Sequence, residues 1–157
     1  MAFELEIAGE NKEIKFNYGL VFKINRGFST KDENTGELHG NGAGTLFARI
    51  LDKDDTALFE LLQLVFKGKG KLDEQKYFET IEKYAESFDD EEEAMNSLFD
   101  EVKAEMVRSG FFKQKVKKYI ENLEKGLKTL EKSEKKEEQN QAEAMKTLAE
   151  DMKKEIS

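Results

Sequence analysis

The sequence predicts a mainly α-helical protein that begins with a small β-hairpin and ends with a charged helical extension. Apolar residues alternate with polar ones only near the N-terminus, they recur at helical spacing farther along, and charged residues dominate after residue 130. A period of two is typical of a half-buried strand, whereas steps of three and four are typical of an amphipathic helix. We therefore expect a globular α+β, helix-dominated domain over residues 1–112 and a helical extension, partly flexible, over residues 113–157.

The hairpin is predicted from two alternating runs. The first run is Phe3, Leu5 and Ile7, and the second is Ile14, Phe16 and Tyr18. The intervening Gly9-Glu10-Asn11-Lys12 has the composition of a turn. A hairpin of two strands is only marginally stable alone, so its apolar face is expected to pack on helices.

A short helix, a long loop and a second short helix are expected next. The apolar run over residues 20–24 predicts one or two helical turns that end at Gly27. Residues 28–44 are rich in glycine and polar side chains, and a loop of this length is either mobile or functional. Residues 46–51 fit one face of the second helix.

A third helix is predicted over residues 58–66, where apolar side chains follow the spacing i, i+3, i+4, i+7, i+8. Asp54 or Asp55 is expected to cap its N-terminus, because a carboxylate there accepts hydrogen bonds from free backbone N–H groups. Gly68 and Gly70 are expected to end it.

Two longer helices follow. One is predicted over residues 77–88, and the next opens with the acidic run at residues 89–93 and ends at Ser109-Gly110. Acidic side chains in a first turn interact favourably with the helix dipole. The expected core residues are Phe16, Phe22, Leu46, Ile50, Leu58, Leu62, Val65, Phe78, Ile81, Leu98, Phe99 and Val102.

The residues after this break are the candidates for protein interaction. They are Phe111, Phe112, Val116, Ile120, Leu123, Leu127 and Leu130. The last five recur in alternating steps of four and three, which is the spacing of a heptad seam. The phenylalanine pair either completes the core or leaves one aromatic at an interface. For the seam, we expect self-association or a partner helix rather than packing within the chain.

Beyond the seam, residues 131–141 are charged or polar, and an apolar face resumes over residues 142–156 out of phase. This pattern is typical of a long helix with a phase break, or of a docking segment that orders only on a partner.

The composition argues against several functions. The chain has no cysteine, which excludes disulfides and thiolate metal sites, and a lone His39 cannot form a site with several histidines. The net charge of −8 argues against nucleic acid as a partner. No apolar run approaches the roughly 18 residues that span a bilayer, and the N-terminus does not resemble a signal peptide. We expect a soluble, acidic, intracellular protein with no membrane partner.

Short motifs add no chemistry. Residues 40–45 are glycine-rich, but the Lys-Ser or Lys-Thr of a phosphate-binding loop does not follow. The aspartates at residues 52–55 lack the glycine of a calcium loop, since Ala57 stands at that position. We therefore predict no catalytic residue, no metal site and no cofactor, and we expect that the protein is not an enzyme.

Three segments resemble parts of the tail assembly chaperones of long-tailed, siphovirus-type phages or prophages of Gram-positive bacteria. They are FELEIAGENKEIKFNYGLVFKINR, GAGTLFARILDKDDTALFELLQLVF and LFDEVKAEMVRSGFFKQKVKK. The first is similar to the family's opening hairpin and short helix, the second to two apolar helices separated by an aspartate-containing stop, and the third to a final helix with a break of serine and aromatics. The resemblance covers residues 3–118, and the chain departs from the pattern at residues 28–44 and beyond residue 119.

The resemblance implies a non-enzymatic chaperone that coats the aggregation-prone tape measure protein and brings tail tube subunits to it. It further implies a location in the host cytoplasm, absence from the mature virion, and the shorter of two forms made by programmed frameshifting. The alternative, which rests on the heptad seam, is a structural or adaptor protein that acts through a helical oligomerisation segment.

Overall fold

The computed structural model describes residues 3–66 and 70–157, and within these ranges the chain forms one hairpin of two strands and seven helices. The strands are β1 (Phe3–Ile7) and β2 (Glu10–Ile14), and the helices are α1 (Tyr18–Gly27), α2 (Gly42–Leu51), α3 (Asp55–Val65), α4 (Glu74–Ala85), α5 (Glu91–Arg108), α6 (Gly110–Glu131) and α7 (Lys136–Ile156). The predicted helix-dominated fold with an N-terminal hairpin is confirmed.

The hairpin is tighter than the sequence pattern predicted. Its antiparallel register pairs Phe3 with Ile14 and Ile7 with Glu10. The turn is therefore Ala8-Gly9, and both residues have positive φ angles, 51° and 82°. Two central residues with positive φ match the right-handed twist of paired strands, which is why such turns connect hairpins.

The predicted turn at residues 9–12 and the predicted extension of the second strand to Tyr18 were wrong. The strand ends at Ile14 because the side chain of Asn17 caps α1 and accepts a hydrogen bond of 2.9 Å from the backbone N–H of Leu20. Tyr18 consequently begins a helix. Phe16 still reaches the core, with 3% of its surface exposed.

Helix α2 lies at the centre of the core. Ala43, Leu46, Phe47 and Ile50 are buried, and α2 packs against α1, α3, α5, α6 and α7. Close approach depends on Gly44, because a Cβ atom there would overlap the ring and Cβ of Tyr119. The hairpin covers another side of the core, where β1 packs on α4 and α5.

Most expected core residues are buried, but two were placed wrongly. Phe22 and Phe78 are 53% and 48% exposed. Helix α1 turns Val21 and Ile24 inward, and α4 turns Tyr77 and Thr80 inward, which leaves the two phenylalanines on outer faces. Of the others, Val65 and Ile81 are partly buried and the rest are buried.

The helix ends follow local chemistry. Asp54, not Asp55, caps α3, because its carboxylate accepts hydrogen bonds from the backbone N–H groups of Thr56 at 2.9 Å and Ala57 at 3.2 Å. Helix α3 ends at Val65 with Phe66 as its C-cap, before the expected stop at Gly68 and Gly70, of which Gly68 lies outside the described residues. The acidic run opens α5 as predicted, with Asp90 as the cap and three glutamates in the first turn.

Helices α6 and α7 form an antiparallel pair. Met145 lies beside Gly126, and Lys153 Nζ donates a hydrogen bond of 3.3 Å to Glu124 Oε2. The apolar phase break in the sequence corresponds to the turn between the two helices. Five buried residues of this pair belong to the same hydrophobic cluster as α2; they are Phe112, Val116, Ile120, Met152 and Ile156.

Candidate functional site: an aromatic groove between α1 and α6

Three aromatic side chains are exposed together where α1 meets the start of α6. Tyr18 is 62% exposed, and Phe22 and Phe111 are each 53% exposed. The ring centroids of Tyr18 and Phe111 are 5.5 Å apart in an edge-on arrangement, and those of Tyr18 and Phe22 are 6.5 Å apart. Together with Leu38, they line a surface groove of about 510 Å³, which we call the aromatic groove.

Helical spacing explains why these rings lie side by side. Tyr18 and Phe22 are four residues apart on α1, so they share one face. On α6, successive side chains are about 100° apart around the axis. Phe112 therefore points into the core, where its ring centroid lies 5.3 Å from that of Phe16 and 6.1 Å from that of Phe47, while Phe111 stays outside.

Ser109 fixes the direction in which α6 begins. Its side-chain oxygen accepts a hydrogen bond of 3.2 Å from the backbone N–H of Phe112, which caps the helix. The same hydroxyl donates a hydrogen bond of 2.7 Å to the backbone carbonyl of Phe16. One serine thus ties the start of α6 to the segment that precedes α1, so that Phe111 and Tyr18 meet.

The long loop before α2 supplies the edge of the groove. The side chain of Asn41 accepts a hydrogen bond from the backbone N–H of Thr30 and donates one to Thr30 Oγ1, both at 2.9 Å. An isolated bridge pairs Lys31 with Leu38. The loop is therefore folded back on itself by its own hydrogen bonds, and it places the half-exposed Leu38 in the lining of the aromatic groove.

The charged side chains that line the aromatic groove are Arg26 and Lys115. The Arg26 guanidinium lies 5.4 Å from the centroid of the Phe22 ring, which is within the range of a cation–π contact. The groove is thus apolar with a basic rim on a chain whose net charge is −8. This combination favours a partner surface with apolar anchors and acidic neighbours.

The structure distributes the predicted interaction residues between core and surface. Phe112, Val116 and Ile120 are buried, and Leu123, Leu127 and Leu130 are partly buried on the helix that packs along α7. Phe111 is the predicted residue that is exposed in the aromatic groove. Whether these residues act between chains stays a prediction.

Sequence reasoning missed Tyr18, Phe22 and Leu38 as surface residues. The signal for the first two was present, since aromatics at i and i+4 lie on one face, and Val21 and Ile24 already supply the buried face of α1. Leu38 carried no signal, because its position depends on how the loop folds.

Two titratable groups outside the aromatic groove, Asp54 and Tyr77, have pKa values shifted by their surroundings. The hydrogen bond from Arg49 lowers the pKa of Asp54, the cap of α3, and burial raises the pKa of Tyr77 to about 12. Thr30 Oγ1 and His39 Nδ1 share a hydrogen bond of 2.7 Å.

In residues 3–66 and 70–157, no three His, Asp or Glu side chains converge as metal ligands. No helix of the described chain is both long and apolar enough to cross a membrane.

Comparison with known proteins identifies the family. The model of the family described as "Phage tail assembly chaperone protein, TAC" matches residues 4–121, about three quarters of the chain. The chain belongs to the phage tail assembly chaperone family. No curated protein and no solved structure matches it. In this phage tail assembly chaperone the matched region contains every residue of the aromatic groove, whereas α7 lies beyond it.

Proposed function

We propose that this phage tail assembly chaperone binds the tape measure protein in the cytoplasm of the bacterial host and helps to recruit tail tube subunits. The role is non-enzymatic, the phage is of the long-tailed type that infects Gram-positive bacteria, and the chaperone is absent from the mature virion. Family membership supports an assembly role. The aromatic groove is the observation that carries the proposal to a specific surface.

The energetic argument starts from the exposed rings. Aromatic side chains contribute much of the binding energy at protein interfaces, because they bury a large area with few rotatable bonds. More than half of the surface of each of Tyr18, Phe22 and Phe111 is exposed, so this apolar surface is removed from water only when a partner covers the groove. A groove between two helices suits the apolar face of an amphipathic helix. A long helical client offers such faces repeatedly.

We further propose that residues 113–157 form the extension through which copies of the chaperone associate. The outer part of the predicted seam, at Leu123, Leu127 and Leu130, is only partly buried by α7. Apolar surface left at these positions is available to a second chain. Changing Leu127 and Leu130 to glutamate should lower the oligomer mass measured by light scattering, and an unchanged mass would contradict this part of the proposal.

Client binding is tested by co-expression with the tape measure protein of the same phage. Wild-type chaperone should keep the client in the supernatant and co-elute with it, and the Phe22→Ser/Phe111→Ser double variant should lose both effects. Arg26→Glu/Lys115→Glu should weaken association. Its matched control is Lys132→Glu/Lys135→Glu, which makes the same charge change in the turn between α6 and α7.

The proposal fails if the client stays insoluble with wild-type chaperone, or if the double aromatic variant binds as well as wild type. It also fails if the control charge variant is as defective as the groove variant. Mass spectrometry of purified virions separates the chaperone role from a structural role, since a structural component would remain in finished particles.

A further inference from the structure

A second groove lies between α4 and α5, apart from the aromatic groove. Its volume is about 950 Å³, and its apolar lining includes Ile81, Met95 and Phe99. Phe78 is 48% exposed at its edge. Phe78 and Ile81 are three residues apart on α4, and Met95 and Phe99 are four apart on α5, so each helix presents one apolar stripe to the groove.

Carboxylates from the start of α3, from α4, from the link between α4 and α5, and from the start of α5 surround this apolar lining. They are Asp55, Glu82, Glu86, Asp89 and Glu91. In the part of the chain that the structure describes, none of the five forms an ion pair. The cation in the lining is Lys53, and its Nζ atom donates a hydrogen bond of 2.6 Å to Asn96 Oδ1. The rim is therefore strongly negative, and we call this surface the acidic groove.

We propose that the acidic groove binds a basic amphipathic helix of another protein. The apolar stripes on two neighbouring helices match the helix-in-groove mode of recognition, in which the ligand contributes apolar side chains at i, i+3, i+4 and i+7. Uncompensated carboxylates on both sides of the groove attract Lys and Arg that flank this apolar stripe and repel an acidic ligand.

The charge of the rim also distinguishes this surface from the aromatic groove. The aromatic groove is lined by Arg26 and Lys115, whereas the acidic groove has five carboxylates around one lysine. Two apolar grooves with rims of opposite charge select different ligands. The chaperone can therefore hold two different segments at once, and this second site does not depend on what occupies the first.

The test uses a fluorescein-labelled peptide of about 18 residues, or five helical turns, with leucines on one face and lysines on the other. A peptide with glutamate in place of lysine and a scrambled peptide of the same composition serve as ligand controls. Fluorescence anisotropy at about 0.15 M salt limits long-range attraction between exposed charges. Circular dichroism and thermal unfolding of each variant show that it is folded.

Wild-type protein should bind the helical lysine peptide at least about tenfold more tightly than either control peptide. Phe78→Ala should weaken binding about fivefold or more, as expected for an interface aromatic. Glu82→Lys/Glu86→Lys should weaken it at least about tenfold. The matched control, Glu134→Lys/Glu137→Lys, makes the same charge change at exposed positions outside the groove and should leave affinity within about twofold.

Four results would overturn the inference. If the scrambled peptide binds as tightly as the helical one, binding depends on net charge alone. The same conclusion follows if the control charge variant loses as much affinity as Glu82→Lys/Glu86→Lys. If Phe78→Ala and Glu82→Lys/Glu86→Lys bind the lysine peptide with unchanged affinity, the peptide does not bind in the acidic groove. A fall in oligomer mass of these groove variants without peptide would make a second copy of the chain the occupant.

Discussion

Replacement of each of two adjacent phenylalanines by alanine should have opposite consequences for folding and for binding. Phe112 is fully buried between the rings of Phe16 and Phe47. Truncation of a buried phenylalanine removes its transfer free energy and leaves a cavity, so Phe112→Ala should lower the free energy of unfolding by about 3–5 kcal/mol. Phe111 keeps 53% of its surface exposed in the folded chain. Full burial of a phenylalanine contributes about 1.5–3 kcal/mol, so Phe111→Ala should cost roughly 1 kcal/mol or less.

Urea denaturation followed by circular dichroism measures both changes, and a thermal scan checks them. In a domain of this size each 1 kcal/mol shifts Tm by about 2–4 °C, so Phe112→Ala should lower Tm by about 6–20 °C and Phe111→Ala by at most about 4 °C. Client binding should be weakened more by Phe111→Ala than by Phe112→Ala, when both are measured at a temperature where both variants are folded. Equal loss of stability in the two variants would refute the division between core and surface on α6.

Two further predictions concern a helix cap and a helix interior. Asp54→Asn keeps the hydrogen-bonding cap of α3 but removes the charge that faces Arg49. Because the pKa of Asp54 is lowered in the folded chain, its contribution to stability is complete above the ordinary carboxyl pKa of 3.8 and is lost as pH falls through the folded value. The difference in urea midpoint between wild type and variant should therefore shrink between pH 7 and about pH 3, and a constant difference would contradict it. Gly44→Ala should lower stability by about 1–3 kcal/mol, since its Cβ would overlap Tyr119. In Gly126→Ala the new Cβ would contact only Cε of Met145, at 3.4 Å, so this variant should be more stable than wild type by up to about 1 kcal/mol. Equal changes in the stability of the two alanine variants would contradict the packing argument.

Local signals predicted some helix boundaries and missed others, since α2 begins at Gly42 rather than near residue 46 and α4 spans Glu74–Ala85 rather than residues 77–88. Asp54 was one of the two predicted caps of α3, and the acidic run of α5 was predicted, because capping and dipole interactions depend on residues within one turn of the helix end. Ser109-Gly110 was recognised as a break for the same reason. The hairpin turn was predicted too far along the chain, because Ala8 has a positive φ angle, which is uncommon for alanine and is not indicated by the residue type.

The candidate site was predicted only in part. Phe111 was singled out from sequence, but its neighbours Tyr18 and Phe22 were assigned to a strand and to the core. Periodicity shows that a helix has an apolar face; it does not show which of two apolar faces a neighbouring helix will cover. On α1 both Val21 and Phe22 are apolar, and contact with α2 and α3 decided between them.

The amino-acid sequence by itself determined the order of hairpin and helices, the capped start of α5 and the break at Ser109-Gly110, and the absence of thiol and multi-histidine chemistry, because each depends on composition or on residues a few positions apart. The tertiary structure alone decided that Phe112 is buried while Phe111 is exposed, and that Leu38 of the folded loop lines the same groove as Tyr18. It also decided that carboxylates of α4 and α5 share one rim. Burial and electrostatic fields arise from side chains far apart in sequence, so they exist only once the helices have packed.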